Sequence, residues 1–388
     1  MNSQKLNLKI YMIAGEDSGD LIGSGLMKEL KKISNQPIRF LGIGGIKMKE
    51  EGLEEIFEMS KLSIMGIFEV LGSIFKFLNL IKITKNSIFS SKPDILITID
   101  SPGFNLRIQK ATSSMKNLKR IHYVAPSVWA WKSYRAKEMS RFLDLLLVLF
   151  PFEKKYFSSE GLDTKFVGHA VLYDILKKNK LSKNLNIKQL DLNNLKIVLL
   201  PGSRKNEIKK ILPVLIKVSE ELSVHFKNIK FFIVTQKLHK EYIETKLSSS
   251  KISYNLTDDS NKKYEIYSKV DLALCASGTV SLELACLSTP MIVVYKMNWL
   301  TYFIVKSMVK INTVSIVNII LEKNIIPEYL QYNASVKNLV NASKNLILNS
   351  DLRVDQIKGF KIALEDVINI AENPSYLAAR AILKSKDK

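Results

Sequence analysis

Near-continuous apolar runs bounded by turn residues alternate with amphipathic stretches along the first part of the chain. LNLKIYMIAG is followed by LIGSGLMKELKKI, and PDILITID by NLRIQKATSSM, while IRFLGIGG, RIHYVAP, DLLLVLFP and TKFVGHA supply further strand patterns. Strands apolar on both faces, interleaved with helix-period segments, predict a parallel sheet covered on both sides over residues 1–170. Residues 171–194, VLYDILKKNKLSKNLNIKQLDLNN, are dense in Lys and Asn without a strong period and read as the connection between domains. A second alternation over 195–350 opens with LKIVLLPGSR and the long helical stretch EIKKILPVLIKVSEELSVHF, then runs through KFFIVTQ, DLALCASGT, VSLELACL, PMIVVYKM and TVSIVNII. After Gln331 the pattern is helical to the end. The expected fold is therefore α/β, with two doubly wound domains facing a cleft and a C-terminal helical tail, 351–388, crossing back to the first domain.

Composition fits this outline. A chain of 388 residues exceeds what one core usually fills, and 46% apolar with 24% charged residues is a folded, globular composition. Cys275 and Cys286 have neither metal-ligand spacing nor enough partners for a disulfide framework. With no signal-type segment ahead of the first strand, the expected location is the cytoplasm. Lys and Arg outnumber Asp and Glu by 58 to 37, and the net charge of +21 attracts polyanions or anionic lipid headgroups. No helix-turn-helix, RNA-binding or zinc pattern accompanies that charge, and a lysine-rich surface style also accounts for part of it.

Doubly wound sheets bind ligands at the carboxyl ends of their strands, so chemistry is sought in the strand-end loops. LPGSRKNE offers backbone N–H groups at Gly202 and Ser203, a helix start, and the guanidinium of Arg204, a set that converges on an anion; a Pro-Gly turn with a capping serine is the alternative. CASGTVSLE repeats the arrangement with Ser277, Gly278 and Thr279, and places Glu283 one turn into the helix, suited to sugar or ribose hydroxyls or else to solvent. Two such loops in one domain suggest a diphosphate ligand such as a nucleotide-sugar, gripped without a metal or cofactor. TIDSPGFN puts Asp100 at a strand end, where it could serve as general base for a hydroxyl or simply start a turn. HYVAPSVWAWK carries Trp129 and Trp131 in one loop, either a sugar-stacking surface or core. KLSIMGIFEVLGSIFKFLNLIKI is apolar almost all round but too interrupted to span a bilayer, and reads as a core helix or as a helix at the membrane interface. IAGEDSGD has the turn of an anion cradle, yet it carries Glu16, Asp17 and Asp20. Its glycines resemble a dinucleotide loop, but the GxGxxG spacing is absent and the carboxylates oppose phosphate.

Jointly these loops resemble those of the lipid-A-disaccharide synthases, glycosyltransferases of the GT-B type. AGEDSGD, GIGG followed by SIMGIFEVL, PDILITIDSPGFN, HYVAPSVWAWK, FPFEKKYF, FVGHA, LLPGSR, ASGTVSLE and VSIVNII stand in that family's order and spacing across almost the whole chain. The resemblance implies two Rossmann-like domains and transfer of a sugar from UDP-2,3-diacylglucosamine to the 6-hydroxyl of 2,3-diacylglucosamine 1-phosphate, with inversion and release of UDP. It assigns Asp100 as the base. Gly202, Ser203, Arg204, Ser277, Gly278, Thr279, Glu283 and Asn318 become donor-binding residues. The helix near Met65 and Gly66 would hold acyl chains, and the basic surface would sit on anionic phospholipid at the cytoplasmic face of the inner membrane, with no nucleic-acid partner and a homodimer left open. IAGEDSGD then falls on the acceptor side, with Glu16, Ser18 and Asp20 as acceptor-binding residues; Asp17 or Ser18 can cap the following helix, and Glu16 and Asp20 can bind sugar hydroxyls or orient neighbouring groups. The family commonly has another residue where Asp17 and Gly103 stand, so neither position is expected to carry the chemistry.

Overall fold

The computed structural model describes residues 7–63, 70–128, 134–178, 189–259, 262–298, 313–368 and 372–386. The chain forms two compact units, Met1–Tyr173 with Asn369–Lys388, and Asp174–Ile368.

The first unit holds a seven-stranded sheet of β1 (Leu8–Ala14), β2 (Ile38–Ile43), β3 (Leu53–Glu55), β4 (Ile95–Ile99), β5 (Lys119–Tyr123), β6 (Leu145–Val148) and β7 (Thr164–Phe166). Every pairing is parallel and the spatial order is β3-β2-β1-β4-β5-β6-β7. The connecting helices are α1 (Asp17–Ile33), α2 (Ile46–Glu50), α3 (Ser60–Ser63), α4 (Val70–Ser91), α5 (Pro102–Ala111), α6 (Tyr134–Met139) and α7 (Lys154–Ser158), and α8 (Ala170–Lys178) begins in this unit and ends in the second. All of β4 and all of β1 except Lys9 are buried, as a sheet covered on both faces demands. Helix α1 buries Ile22, Leu26, Met27 and Leu30 along one stripe. Asp17 and Asp20 in its first turn and Lys31 and Lys32 in its last complement the helix dipole.

The second unit repeats the plan with β8 (Lys196–Leu200), β9 (Lys230–Val234), β10 (Tyr254–Thr257), β11 (Leu272–Ala276), β12 (Met291–Tyr295) and β13 (Glu328–Leu330), parallel in the order β10-β9-β8-β11-β12-β13. Its helices are α9 (Lys205–His225), α10 (Lys240–Leu247), α11 (Lys263–Lys269), α12 (Val280–Cys286), α13 (Ile316–Leu321), α14 (Val336–Leu348) and α15 (Ser350–Ile368). Ile208, Leu212, Leu215 and Leu222 of α9 pack with Phe231, Leu274 and Leu339 in one fully buried cluster. Truncating any of these leucines to Ala costs about 2–5 kcal/mol.

Two boundaries differ from those expected. Of the anticipated connection 171–194, residues 171–178 continue α8, and 179–188 lie outside the described residues. The tail does not leave the second unit at residue 351. Helix α15 packs there against α12, α13 and α14, with Phe360 and Leu364 each 1% exposed. Gln356 pins it, accepting from the Met291 N–H at 2.9 Å and donating to the Met291 carbonyl at 3.0 Å. A last helix, α16 (Pro374–Lys386), belongs to the first unit and packs on α1, burying Ala378, Ala379 and Ile382.

Strand order reverses once in each sheet, between β1 and β4 and between β8 and β11. At such a switch point the two flanking loops leave in opposite directions and open a crevice at the strand ends. Ala14 lies opposite Ile99, and Leu200 opposite Cys275. The loops singled out in the sequence therefore flank the two switch points: IAGEDSGD and IDSPG in one unit, LPGSR and CASGT in the other.

Candidate active site

In the first unit, Asp100 ends β4 in a left-handed conformation with φ 50°, and Ser101 follows at φ 43°, ψ 55°. Left-handed non-glycine residues cost about 1–2 kcal/mol each, so two in succession persist only if the surroundings hold them. The Asp100 N–H donates to the Tyr123 carbonyl at 2.9 Å. From α5, the fully buried Asn105 donates through Nδ2 to the carbonyls of Ile99 at 3.0 Å and Asp100 at 2.7 Å. The third contact is steric. A Cβ on Gly15 would lie 2.5 Å from Ser101 Oγ and 2.9 Å from its Cβ, so only glycine lets the β1 loop lie this close. Asp100 is thus a half-buried carboxylate on a clamped turn at the switch point.

Beneath it lies a polar ladder. Gln109 Nε2 donates to both Thr98 Oγ1 and the Ile121 carbonyl at 2.9 Å. Thr98 Oγ1 also lies 2.8 Å from His122 Nδ1 and 3.5 Å from the Ile121 carbonyl. His122 is 0% exposed, and burial pulls its pKa down to about 4, so the ring is neutral. Burial likewise raises the neighbouring Tyr123 hydroxyl above its ordinary range.

Of the two roles expected for Asp20, its contacts are those of a residue that orients neighbouring groups. It is 5% exposed, and its Oδ1 accepts from the Gly45 and Met48 N–H groups at 2.8 and 3.0 Å while Oδ2 accepts from Lys47 N–H at 3.0 Å. Helix α2 has no side-chain cap of its own, and Asp20 supplies one from α1. Its carboxylate is engaged in holding the GIGG loop rather than presented to sugar hydroxyls. Neither Asp17 nor Ser18 caps α1: Glu16 occupies the N-cap position, and Asp17 and Ser18 are exposed in the first turn. Glu16 is half-buried beside the switch point. Met65 and Gly66, like Trp129 and Trp131, lie outside the described residues.

In the second unit, Gly202 adopts φ 117°, a conformation that glycine tolerates, with its α-carbon against Glu207. Arg204 is the N-cap residue of α9, its N–H directed to Glu207 Oε2 at 3.4 Å, and its side chain is exposed. His239 Nε2 donates to the Ser203 carbonyl at 2.9 Å, fixing the loop from below. Tyr295 is raised from its ordinary range first by burial and then by the Glu207 charge, with Arg204 opposing, so the end of β12 shares this electrostatic environment.

Across the switch point, Gly278 and Thr279 are exposed, and the Ser277 hydroxyl donates to the Val314 carbonyl at 3.0 Å. Glu283 is not a solvated helix residue. It is 9% exposed and paired with Lys263, whose Nζ lies 3.1 Å from each carboxylate oxygen. That pairing offsets the repulsion an isolated carboxylate would exert on a nearby diphosphate. Asn318 does not present its side chain to a ligand. Nδ2 donates to the Ile326 carbonyl at 2.9 Å and to Glu328 Oε1 at 2.8 Å, and Oδ1 accepts from Ile326 N–H at 3.0 Å. Both amide protons and the carbonyl are used within the fold, so its role is to tie α13 to the approach of β13.

Each switch point therefore gathers its own candidates: Glu16, Gly15, Asp100 and Asn105 in the first unit, and Gly202, Ser203, Arg204, Ser277, Gly278 and Thr279 in the second. Sequence reasoning missed Asn105, although it is the last letter of TIDSPGFN, and missed His239, Lys263 and Glu328, whose partners lie far off in the chain. Among the described residues no group of three or more His, Cys, Asp or Glu side chains could hold a metal ion.

Comparison with known proteins agrees with this arrangement. The family model described as lipid-A-disaccharide synthetase matches residues 10–380. The lipid-A-disaccharide synthase of Rickettsia prowazekii (strain Madrid E) is 38% identical over 378 residues, covering 96% of this chain and 98% of that one. That of Rickettsia typhi (strain ATCC VR-144 / Wilmington) is 37% identical over the same shares. Among solved structures, UDP-GlcNAc 2-epimerase from Neisseria meningitidis bound to UDP-GlcNAc superposes with a TM-score of 0.61 at 15% identity, over 97% of this chain and 98% of that one. Acinetobacter baumannii MurG does so with a TM-score of 0.57 at 14% identity, over 97% and 99%. These distant likenesses concern the fold, two parallel α/β units of the GT-B type. With a family model matching residues 10–380 and relatives spanning nearly its whole length, the chain belongs to the lipid-A-disaccharide synthetase family.

Proposed function

We propose that this chain transfers the sugar of UDP-2,3-diacylglucosamine to the 6-hydroxyl of 2,3-diacylglucosamine 1-phosphate in a single inverting displacement. The acceptor oxygen attacks the anomeric carbon as Asp100 takes its proton; the bond from that carbon to the diphosphate oxygen breaks, and UDP leaves with the electron pair. The products are a β-1,6-linked disaccharide 1-phosphate and UDP. In this reading Arg204 and the amides of 202–203 and 277–279 meet the charge growing on the diphosphate. Glu16 contacts acceptor hydroxyls.

The observation that carries the proposal is Asp100, a strand-end carboxylate clamped in a left-handed turn at the switch point. Its test is release of UDP measured with each acylated sugar alone and with both, in the presence of a chelator. UDP should appear only with the pair, and Asp100→Ala should abolish turnover without changing the thermal unfolding profile. No UDP from the wild-type protein and that pair would reject the assignment.

We further propose that the protein works against the anionic cytoplasmic face of the membrane. No described helix is long and apolar enough to cross a bilayer. The described part of α4, however, exposes Phe75 (78%) and Leu78 (54%) beside Lys76, Lys82 and Lys85. Apolar side chains flanked by lysines suit a headgroup layer, and the net charge of +21 adds attraction. Vesicles containing phosphatidylglycerol should sediment the protein at low salt and neutral vesicles should not. Equal binding to both would refute the electrostatic part.

A further inference from the structure

The strand β13 begins with Glu328, a residue no sequence pattern marked, and its carboxylate gathers one short segment of chain. Oε2 accepts from the Val314 N–H at 2.8 Å, and Oε1 accepts from the Ser315 N–H at 3.0 Å, from Asn318 Nδ2 at 2.8 Å and from the Thr313 hydroxyl. Three of the four donors stand at the start of α13, where Ser315 is the N-cap residue but provides no side-chain cap. A remote carboxylate thus satisfies the N–H groups of the two residues that lead into the helix. The segment it holds touches the candidate donor loop directly, because the carbonyl of Val314 accepts the Ser277 hydroxyl at 3.0 Å. Glu328 fixes the N–H of the same residue whose carbonyl fixes Ser277.

We propose that Glu328 is a positioning residue for the UDP moiety, acting through the 313–315 segment to set the geometry of Ser277 and the amides that follow it. The inference rests on the reading of 277–279 as donor-binding. A carboxylate suits this role better than a neutral amide because all four groups facing it are donors. In Glu328→Gln the side-chain NH2 must face at least one of them, while shape and volume are kept. A charge-assisted hydrogen bond contributes roughly twice what a neutral one does, so releasing the segment should weaken UDP binding about ten-fold.

The experiment measures UDP affinity by calorimetry, the KM for donor and for acceptor, and Tm, in wild type, Glu328→Gln, Thr313→Val, Ser277→Ala and the Glu328→Gln/Ser277→Ala double variant. Glu328→Gln should raise the UDP Kd and the donor KM about ten-fold and leave the acceptor KM unchanged. Thr313→Val, which removes a single donor, should shift the same quantities in the same direction by less. The double variant should be no worse than the poorer single one, since both act through the Val314–Ser277 contact. A fall in Tm with unchanged UDP affinity would show a purely structural carboxylate, and full additivity in the double variant would show that Glu328 does not act through Ser277; either result overturns the proposal. Wild-type protein that fails to bind UDP would instead reject the donor-loop reading beneath it.

Discussion

The closest test of the clamped turn is Gly15→Ala, one methyl group on a residue that touches no substrate in the proposed mechanism. Ideal placement of the new Cβ puts it 2.5 Å from Ser101 Oγ and 2.9 Å from Ser101 Cβ. Non-bonded carbons sit about 3.5–4.0 Å apart, so rotating the hydroxyl is not enough and Ser101 itself has to give way by the order of 1 Å. Asp100 is its chain neighbour, and both residues are already left-handed. A displacement of that size at a reacting group costs about 10²-fold in rate, and overpacking of this kind costs about 1–3 kcal/mol of stability. We expect kcat for UDP release to fall about 100-fold, with KM for both sugars near wild type and Tm lower by a few degrees. Ser101→Gly removes both clashing atoms and suits φ 43°, so Gly15→Ala/Ser101→Gly should recover most of the lost rate. Wild-type turnover in Gly15→Ala would refute the close packing of the two loops. Failure of the double variant to recover would show that the lost rate does not come from displacing Ser101.

Two further predictions concern stability. Asp20→Ala strips three N–H groups, that of Met48 buried and those of Gly45 and Lys47 partly so, of their acceptor and should lower stability by about 1–2 kcal/mol, read by urea denaturation, while the acceptor KM of the folded fraction stays within about two-fold. His122 and His169, 0% and 4% exposed, are both held by burial at a pKa of about 4, below the ordinary 6.5. The unfolded chain takes up these protons first, so stability is fully present above about pH 6.5 and declines as pH falls toward about 4, by the order of 3 kcal/mol for each ring. Thermal melts of the full chain across that window should show the loss, and His169→Gln should remove about half of it; a flat wild-type profile would contradict the buried neutral rings.

How far the sequence could be read depended on the range of the interaction involved. The alternation of apolar strands and amphipathic helices is local, and it located both sheets and the four switch-point loops. Arg204 and Asp100 were legible because a strand end followed by Pro-Gly or Gly-Ser is itself a short pattern. For Asp20 the sequence left two roles open because its partners, Gly45, Lys47 and Met48, lie a whole strand away, and a first-turn carboxylate looks the same whether it faces solvent or a neighbouring helix. The same holds for Asn318: its motif was visible, but the Ile326 backbone and Glu328 that take up its side-chain hydrogen bonds were not. Helical periodicity also could not tell α15 from α16, which look alike in sequence yet belong to different units. What separates them is Gln356 bonding the Met291 backbone in one and the Ala378–Ile382 face meeting α1 in the other.

The acidic loop IAGEDSGD acquires a physical sense from this geometry. A helix N-terminus after a glycine turn ordinarily attracts phosphate through unpaired N–H groups and the dipole. Here Glu16 and Asp17 already bring negative charge to that end of α1, and Asp20 is spent on α2. The loop is thereby unsuited to a diphosphate, while its glycine still performs the other task such a turn allows, close approach of a neighbouring loop. The second switch point has the opposite character: an exposed Arg204, exposed Gly278 and Thr279, and a Glu283 whose charge Lys263 offsets. A transfer that takes a proton from a hydroxyl and expels an anionic leaving group calls for carboxylate at one end and cationic and N–H groups at the other. In the proposed reaction, the same doubly wound plan, used twice in one chain, supplies both polarities by changing only the residues that follow the switch-point strands.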